Sequence, residues 1–151
     1  MAESCCAPGG SIMILACSGG CNVGQLSNQA AIELTKEGFG KLFCLAGLGA
    51  HLSGFIKSAR DIPELIVIDG CEIGCAKGVL KLAEMPLRGY LVITDLGIKK
   101  NKDLNLKREE IDHVKQAVRL LWADSGEQAR PGERSWRPAA ASKPDGPPSI
   151  F

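Results

Sequence analysis

Aromatic residues and charge of a single sign are both scarce in this chain. Phe, Trp and Tyr together make up 5% of its 151 residues, which argues against a surface that stacks nucleic-acid bases. Eighteen basic residues are interspersed with seventeen acidic ones, and the formal net charge is +1. Such a pattern offers no obvious basic surface for binding a phosphate backbone or an acidic membrane. We therefore expect no nucleic-acid and no membrane partner, and the sequence names no protein partner.

Long apolar runs are absent as well. The run from Ile12 to Ala16 has five residues, whereas a membrane-spanning helix needs roughly 20. Glu3 rather than a basic cluster precedes this run, so it does not have the pattern of an export signal. We expect a cytoplasmic protein, in which thiols stay reduced and clustered cysteines indicate metal or redox chemistry.

Cysteine, by contrast, is abundant. The chain has seven: Cys5, Cys6, Cys17, Cys21, Cys44, Cys71 and Cys75. The first two belong to "MAESCCAPGG", a segment of turn residues without an apolar period, so residues 1–10 are predicted to form a flexible leader. Its thiol pair either has no fixed role or captures a soft metal ion transiently.

Four short apolar runs alternate with helical patterns, which predicts the fold. The predicted strands are 12–16, 41–47, 64–70 and 89–95, and the predicted helices are 24–38, 51–60, 75–85 and 107–122. Apolar strands that do not alternate with polar residues, each followed by a helix, indicate a parallel sheet covered on both faces. Right-handed crossovers then favour the strand order 2-1-3-4. We predict a single α/β domain of three layers, Rossmann-like or flavodoxin-like, over residues 11–124.

Residues 125–151 differ in composition from the rest. Five of the eight prolines lie here, and almost no apolar period is left. The segment is therefore predicted to be a disordered tail.

The stretch "CSGGCNVGQL" (17–26) connects the first strand to the first helix. Gly19 and Gly24 have the spacing of a phosphate-binding loop, but Gln25 and Leu26 stand where Lys and Ser or Thr would hold phosphate and magnesium. Val23 stands where a thiol phosphatase would need arginine. The stretch carries no catalytic signature, which favours a protein other than an enzyme. Free N–H groups at the helix start do favour a thiolate.

Cysteines are expected at the carboxyl edge of the predicted sheet, where open parallel sheets bind ligands. Cys17 follows strand one, Cys71 follows strand three, and Cys75 begins the next helix. Cys44 lies within predicted strand two, where core packing explains it as well as ligation does. His51 begins a helix on the same edge and is a candidate additional ligand, although such a histidine is usually solvated. The run "IKKNK" (98–102) is typical of a solvated loop.

This arrangement predicts a zinc site with four cysteine ligands in a structural, sensory or metal-handling role. Two alternatives use the same cysteines. One is a thiol–disulfide redox protein or sensor in which Cys71 and Cys75, or Cys17 and Cys21, cycle between dithiol and disulfide. The other is an iron–sulfur protein.

Four segments of the chain resemble the DGC-domain family, small prokaryotic domains regarded as zinc-binding. These are "CSGGCNVGQLSNQAA", "FGKLFCLAGLGAHLSGF", "VIDGCEIGCAKGVL" with its Asp-Gly-Cys signature, and "VITDLGIKK". The resemblance implies that Zn²⁺ is bound by Cys17, Cys44, Cys71 and Cys75. Cys21 stands where a small polar residue such as Ser is expected, so this extra thiol is a candidate replacement for Cys44 or a redox partner.

Overall fold

The computed structural model describes residues 12–128; the predicted leader and most of the predicted tail lie outside this range. Its strands are β1 (Ile12–Ala16), β2 (Lys41–Leu42), β3 (Glu64–Asp69) and β4 (Gly89–Val92). They form one sheet in the order β2-β1-β3-β4, and all pairs are parallel. The predicted α/β class and strand order are confirmed.

Five α-helices and one 3-10 turn connect and cover the strands of the described chain. They are α1 (Asn22–Lys36), α2 (Leu45–Gly49), α3 (Ser53–Asp61), α4 (Cys75–Leu82), the 3-10 turn Ile93–Leu96, and α5 (Arg108–Gln128). The backbone of α5 is thus helical for four residues past position 124, where the sequence predicts the domain to end. Among the described helices, none has the length and apolar character needed to cross a membrane.

Two predicted strands are too long by three residues or more. Strand two ends at Leu42, and Cys44 is the N-cap of α2 instead of a strand residue. The cause is local packing: α2 buries Leu48 completely, and a Cβ at Gly47 would lie 2.6 Å from the Phe55 ring, so only a glycine lets the two segments meet. A short apolar run fits strand and helix equally well, so its period could not decide. Strand four ends at Val92 because the chain turns into the 3-10 segment there.

The pleat of the central strands divides the core into two layers. Alternate residues of β1 and β3 point to one face, where they pack against α1 and α5; this layer includes Ile12, Ile14, Ala16, Ile66 and Ile68. The intervening residues pack on the other face against α2, α3 and α4; this layer includes Met13, Leu15, Leu65 and Val67. Both faces of the sheet are therefore buried, as the apolar runs predict.

An ion-pair network joins the outer surfaces of α1 and α5. The carboxylate of Glu33 lies 2.6 Å from Arg108 and 3.0 Å from Lys115, and its side chain is 15% exposed. The Arg108 hydrogen bond is the main reason that the pKa of Glu33 falls to about 2. The network fixes the helix that begins just beyond the cysteine-bearing loop.

Candidate functional site

Four of the five described cysteines line one cleft at the carboxyl ends of β1 and β3. They are Cys17, Cys21, Cys71 and Cys75, and the cleft has a volume of about 470 Å³. All are free thiols. Glycines of the two strand-end loops, Ile73 and residues 100–102 complete the lining. The cleft lies between β1 and β3, where the strand order reverses, which is the usual ligand position in an open α/β sheet.

Cys17 lies on the floor of the cleft. Its N–H donates to the carbonyl of Ile68 at 2.9 Å, so it continues the pairing of β1 with β3. Burial raises the pKa of the Cys17 thiol, while hydrogen bonds from the amides of Gly19 and Gly70 oppose that rise. The two amides favour a thiolate, but burial outweighs them and the pKa of Cys17 remains raised.

Side chains of α1 hold the loop that carries Cys17 and Cys21. The amide of Gln25 donates to the carbonyls of Ser18 at 3.3 Å and Gly19 at 3.0 Å. The buried Ser27 hydroxyl hydrogen-bonds with the Cys17 carbonyl. Gln25 therefore fixes the loop shape from the position where a phosphate-binding loop would have its lysine.

Three glycine backbones meet behind the cleft with no side chain between them. A Cβ on Gly24 would lie 2.7 Å from the backbone nitrogen of Gly19, and a Cβ on Gly70 would lie 2.8 Å from that of Gly24. This contact brings the loop after β1 against the loop after β3. The two cysteine pairs lie close together because these positions carry no side chain.

Asp69 of the Asp-Gly-Cys segment holds the start of α4 in place. Its carboxylate is 1% exposed and accepts hydrogen bonds from the N–H groups of Ala76 at 2.8 Å and Lys77 at 3.0 Å. The Tyr90 hydroxyl donates to it at 3.2 Å. Burial and then the Asp69 charge raise the pKa of Tyr90 to about 12. Asp69 thus fixes Cys75, the first residue of α4.

Lys100 also lines the cleft, a position that the sequence pattern did not indicate. Lys100 Nζ lies 3.4 Å from Cys71 Sγ and donates a hydrogen bond to it. Asn22, the first residue of α1, is 5% exposed and is hydrogen-bonded to the backbone on both sides of Lys100. The segment 98–102 therefore belongs to the cleft rather than to a purely solvated loop.

Cys44 and His51 are not among the residues that line this cleft. Cys44 is exposed, and its sulfur accepts the N–H of Gly47 at 3.3 Å as the N-cap of α2. His51 has a positive φ of 54° and lines a separate cleft with Lys57 and Arg60. The structure therefore brings Cys17, Cys71 and Cys75 together with Cys21 instead of Cys44.

The donor chemistry of the cleft fits a soft metal ion, because thiolates are the ligands that zinc prefers in structural sites. Cys17 and Cys71 are each 8% exposed, whereas Cys21 is half-buried and Cys75 is exposed. Within the described range, no three Cys, His, Asp or Glu side chains stand close enough to hold a metal ion. The sulfurs share a cleft without forming a closed ligand group.

Comparison with known proteins gives a family and a relative. The model of the DGC domain matches residues 13–118, which is more than half of the chain and includes every described cysteine. The anaerobic and virulence modulator AnvM of Pseudomonas aeruginosa is 27% identical over 116 residues, which cover 77% of this chain and 88% of that protein. No solved structure matches the chain significantly. With Gly70 and Cys71 of the Asp-Gly-Cys segment lining the cysteine cleft, the match shows that the chain belongs to the DGC domain family.

Proposed function

We propose that this protein is a small cytoplasmic regulatory protein that binds one zinc ion through the thiolates of the cleft. The observation that carries the proposal is the convergence of four cysteines from two separate segments, 17–21 and 71–75, on one cleft at the strand ends. Core packing does not explain the half-buried Cys21 and the exposed Cys75, because a free cysteine that serves packing is normally buried. The relative's name describes a modulator, which supports a sensory role over a purely structural one.

The ligands would be Cys17, Cys71 and Cys75 with Cys21 as the fourth. The family resemblance implies Cys44 instead, but Cys44 is exposed outside the cleft and its sulfur is hydrogen-bonded to Gly47. Recruiting Cys44 would break the N-cap of α2, whereas Cys21 already lines the cleft. Cys21 therefore requires the smaller rearrangement.

Metal binding would draw the sulfurs to about 2.3 Å from zinc. The exposed Cys75 and half-buried Cys21 would rotate, while the buried Cys17 and Cys71 are held by their loops. A site closed by four cysteines leaves no position for water, so it suits metal sensing, metal handling or structural support rather than hydrolysis.

The test is the zinc content of protein purified without oxygen, measured per monomer by mass spectrometry. The parent and Cys44→Ser should hold about one zinc, while Cys71→Ser and Cys21→Ser should lose most of it. A full site in Cys21→Ser with an empty one in Cys44→Ser would restore the ligand set implied by the resemblance. If the purified protein is brown, contains iron and absorbs visible light, the site holds an iron–sulfur cluster and the zinc proposal is wrong.

A second candidate is a thiol–disulfide sensor, favoured by the free thiols that share the cleft without a closed ligand group. Two thiols would form one disulfide and give two electrons and two protons to an oxidant such as a low-molecular-weight disulfide. Thiol counts before and after exposure to oxidised glutathione would test it. Metal-free parent protein that loses two thiols reversibly would favour this role over zinc binding.

A further inference from the structure

The sulfur of Cys71 is hydrogen-bonded to a lysine. Lys100 Nζ donates to its sulfur at 3.4 Å, within the usual range for a hydrogen bond to sulfur. The two residues are 29 positions apart in the chain, so the contact is made by the fold and not by a local turn. Lys100 is otherwise an exposed side chain, and an exposed lysine loses conformational entropy when it is held in one place.

Asn22 fixes the backbone on either side of Lys100. Its side-chain amide donates to the carbonyl of Lys99 at 2.9 Å, and its side-chain oxygen accepts the N–H of Asn101 at 2.7 Å. The backbone N–H of Asn22 donates to the carbonyl of Asn101 at 3.0 Å. A buried asparagine with every side-chain partner in one loop acts as a clamp on that loop. It ties residues 99–101 to the start of α1, next to Cys21.

We propose that Lys100, positioned by Asn22, is the charge partner of the thiolate site at Cys71. The inference rests on the proposed function, because a zinc ion with four thiolates carries a net charge of −2 that a neighbouring ammonium offsets. Lys100 then strengthens metal binding without being a ligand. Asn22 is a positioning residue that acts only through Lys100.

The first experiment measures the local charge in metal-free protein and so does not depend on zinc. Cys71 is alkylated in parallel with iodoacetate, which is anionic, and iodoacetamide, which is neutral, and its rate with each reagent is followed by peptide mass spectrometry. Both reagents react with the same thiolate, so the ratio of rates cancels the protonation state and reports the field of Lys100. Lys100→Gln should lower the iodoacetate-to-iodoacetamide ratio at Cys71 about threefold. The ratio at Cys44, outside the cleft, should not change.

Control variants distinguish the Lys100–Cys71 contact from a change in the net charge of the protein. Lys99→Gln removes the same charge from the adjacent residue, and Lys100→Arg keeps the charge at the site; both should retain the parent ratio. In 1 M salt, where the screening length is about 3 Å, the parent ratio should fall toward that of Lys100→Gln. Asn22→Ala should lower the ratio and also speed hydrogen exchange at the Asn101 amide. Equal ratios in Lys100→Gln and Lys99→Gln would overturn the proposal, and a parent-like ratio in Asn22→Ala would remove the clamp from it.

The second experiment measures zinc affinity by competition with a chromophoric chelator. Lys100→Gln should bind zinc about fivefold more weakly than the parent, and Lys100→Arg should recover most of the affinity. If the parent binds no zinc but Lys100→Gln lowers the alkylation ratio as expected, the proposed zinc binding is wrong and the role of Lys100 as the charge partner of Cys71 is supported. If zinc binds equally in all three proteins, Lys100 does not act on the metal site.

Discussion

Gly70→Ala tests the glycine contact that brings the two cysteine loops together. The new Cβ would lie 2.8 Å from both the nitrogen of Gly24 and the carbonyl carbon of Val23. Ordinary contact begins near 3.4 Å, so the two loops would have to separate by about 0.6 Å. Both obstructing groups are backbone atoms, which cannot rotate away as a side chain would.

The expected cost follows from overpacking. Forced backbone shifts of this kind cost about 1–3 kcal/mol, and for a domain of this size 1 kcal/mol lowers the melting temperature by roughly 4 °C. We therefore expect the melting temperature of metal-free Gly70→Ala to fall by roughly 4–12 °C. Gly70 does not have a positive φ, so the loss would come from the contact and not from backbone strain.

The assay is thermal unfolding followed by circular dichroism with a chelator present, beside two matched glycine variants. A Cβ at Gly20, in the loop after β1, or at Gly78, in α4, meets nothing within 4 Å. Gly20→Ala should melt like the parent, and Gly78→Ala should be more stable by about 0.5–1 kcal/mol because alanine favours the helix. A Gly70→Ala protein as stable as Gly20→Ala would refute the reasoning.

Two further predictions concern groups with shifted pKa values. Because the pKa of Glu33 is lowered to about 2 by Arg108 first, its contribution to stability is present above its unfolded pKa near 4.5 and is lost as the pH falls toward 2. Glu33→Gln should therefore cost about 1 kcal/mol at pH 7, a value limited by the exposure of Arg108, and progressively less as the pH falls through about 2; an equal cost at pH 7 and below pH 2 in urea unfolding would contradict the ion pair. Tyr90 is the chain's single tyrosine, so ultraviolet titration reports it alone. Its pKa of about 12 should fall in Asp69→Asn but stay above 10, because burial still disfavours the phenolate; an unchanged value would show that the Asp69 charge does not act on it.

The sheet could be predicted from the sequence because its signal is local and repeated. Each of the four apolar runs is bounded by turn residues and followed by a helical period, and the handedness of parallel crossovers leaves few strand orders. The pattern does not distinguish strand from helix beyond Leu42, because "FCLAG" is apolar and short; the close approach of Gly47 to Phe55 favours the helix.

The composition of the cleft was only partly predictable. The sequence locates the strand ends, and these predict that Cys17, Cys71 and Cys75 lie at the same edge of the sheet. The Lys100 contact could not be foreseen, because the segment that carries it is held by hydrogen bonds between Asn22 and residues 77 and 79 positions away. An asparagine at the start of a helix is a local signal for a cap, but the adjacent sequence does not indicate which distant loop it is hydrogen-bonded to.

The central claim, a zinc ion bound by cleft thiolates, is tested most directly by X-ray absorption at the zinc edge on anaerobically zinc-loaded protein. Our account predicts one zinc per monomer with four sulfur neighbours at about 2.3 Å, and the same spectrum for Cys44→Ser. A spectrum dominated by nitrogen or oxygen neighbours near 2.0 Å, or zinc bound well below one per monomer, would contradict it.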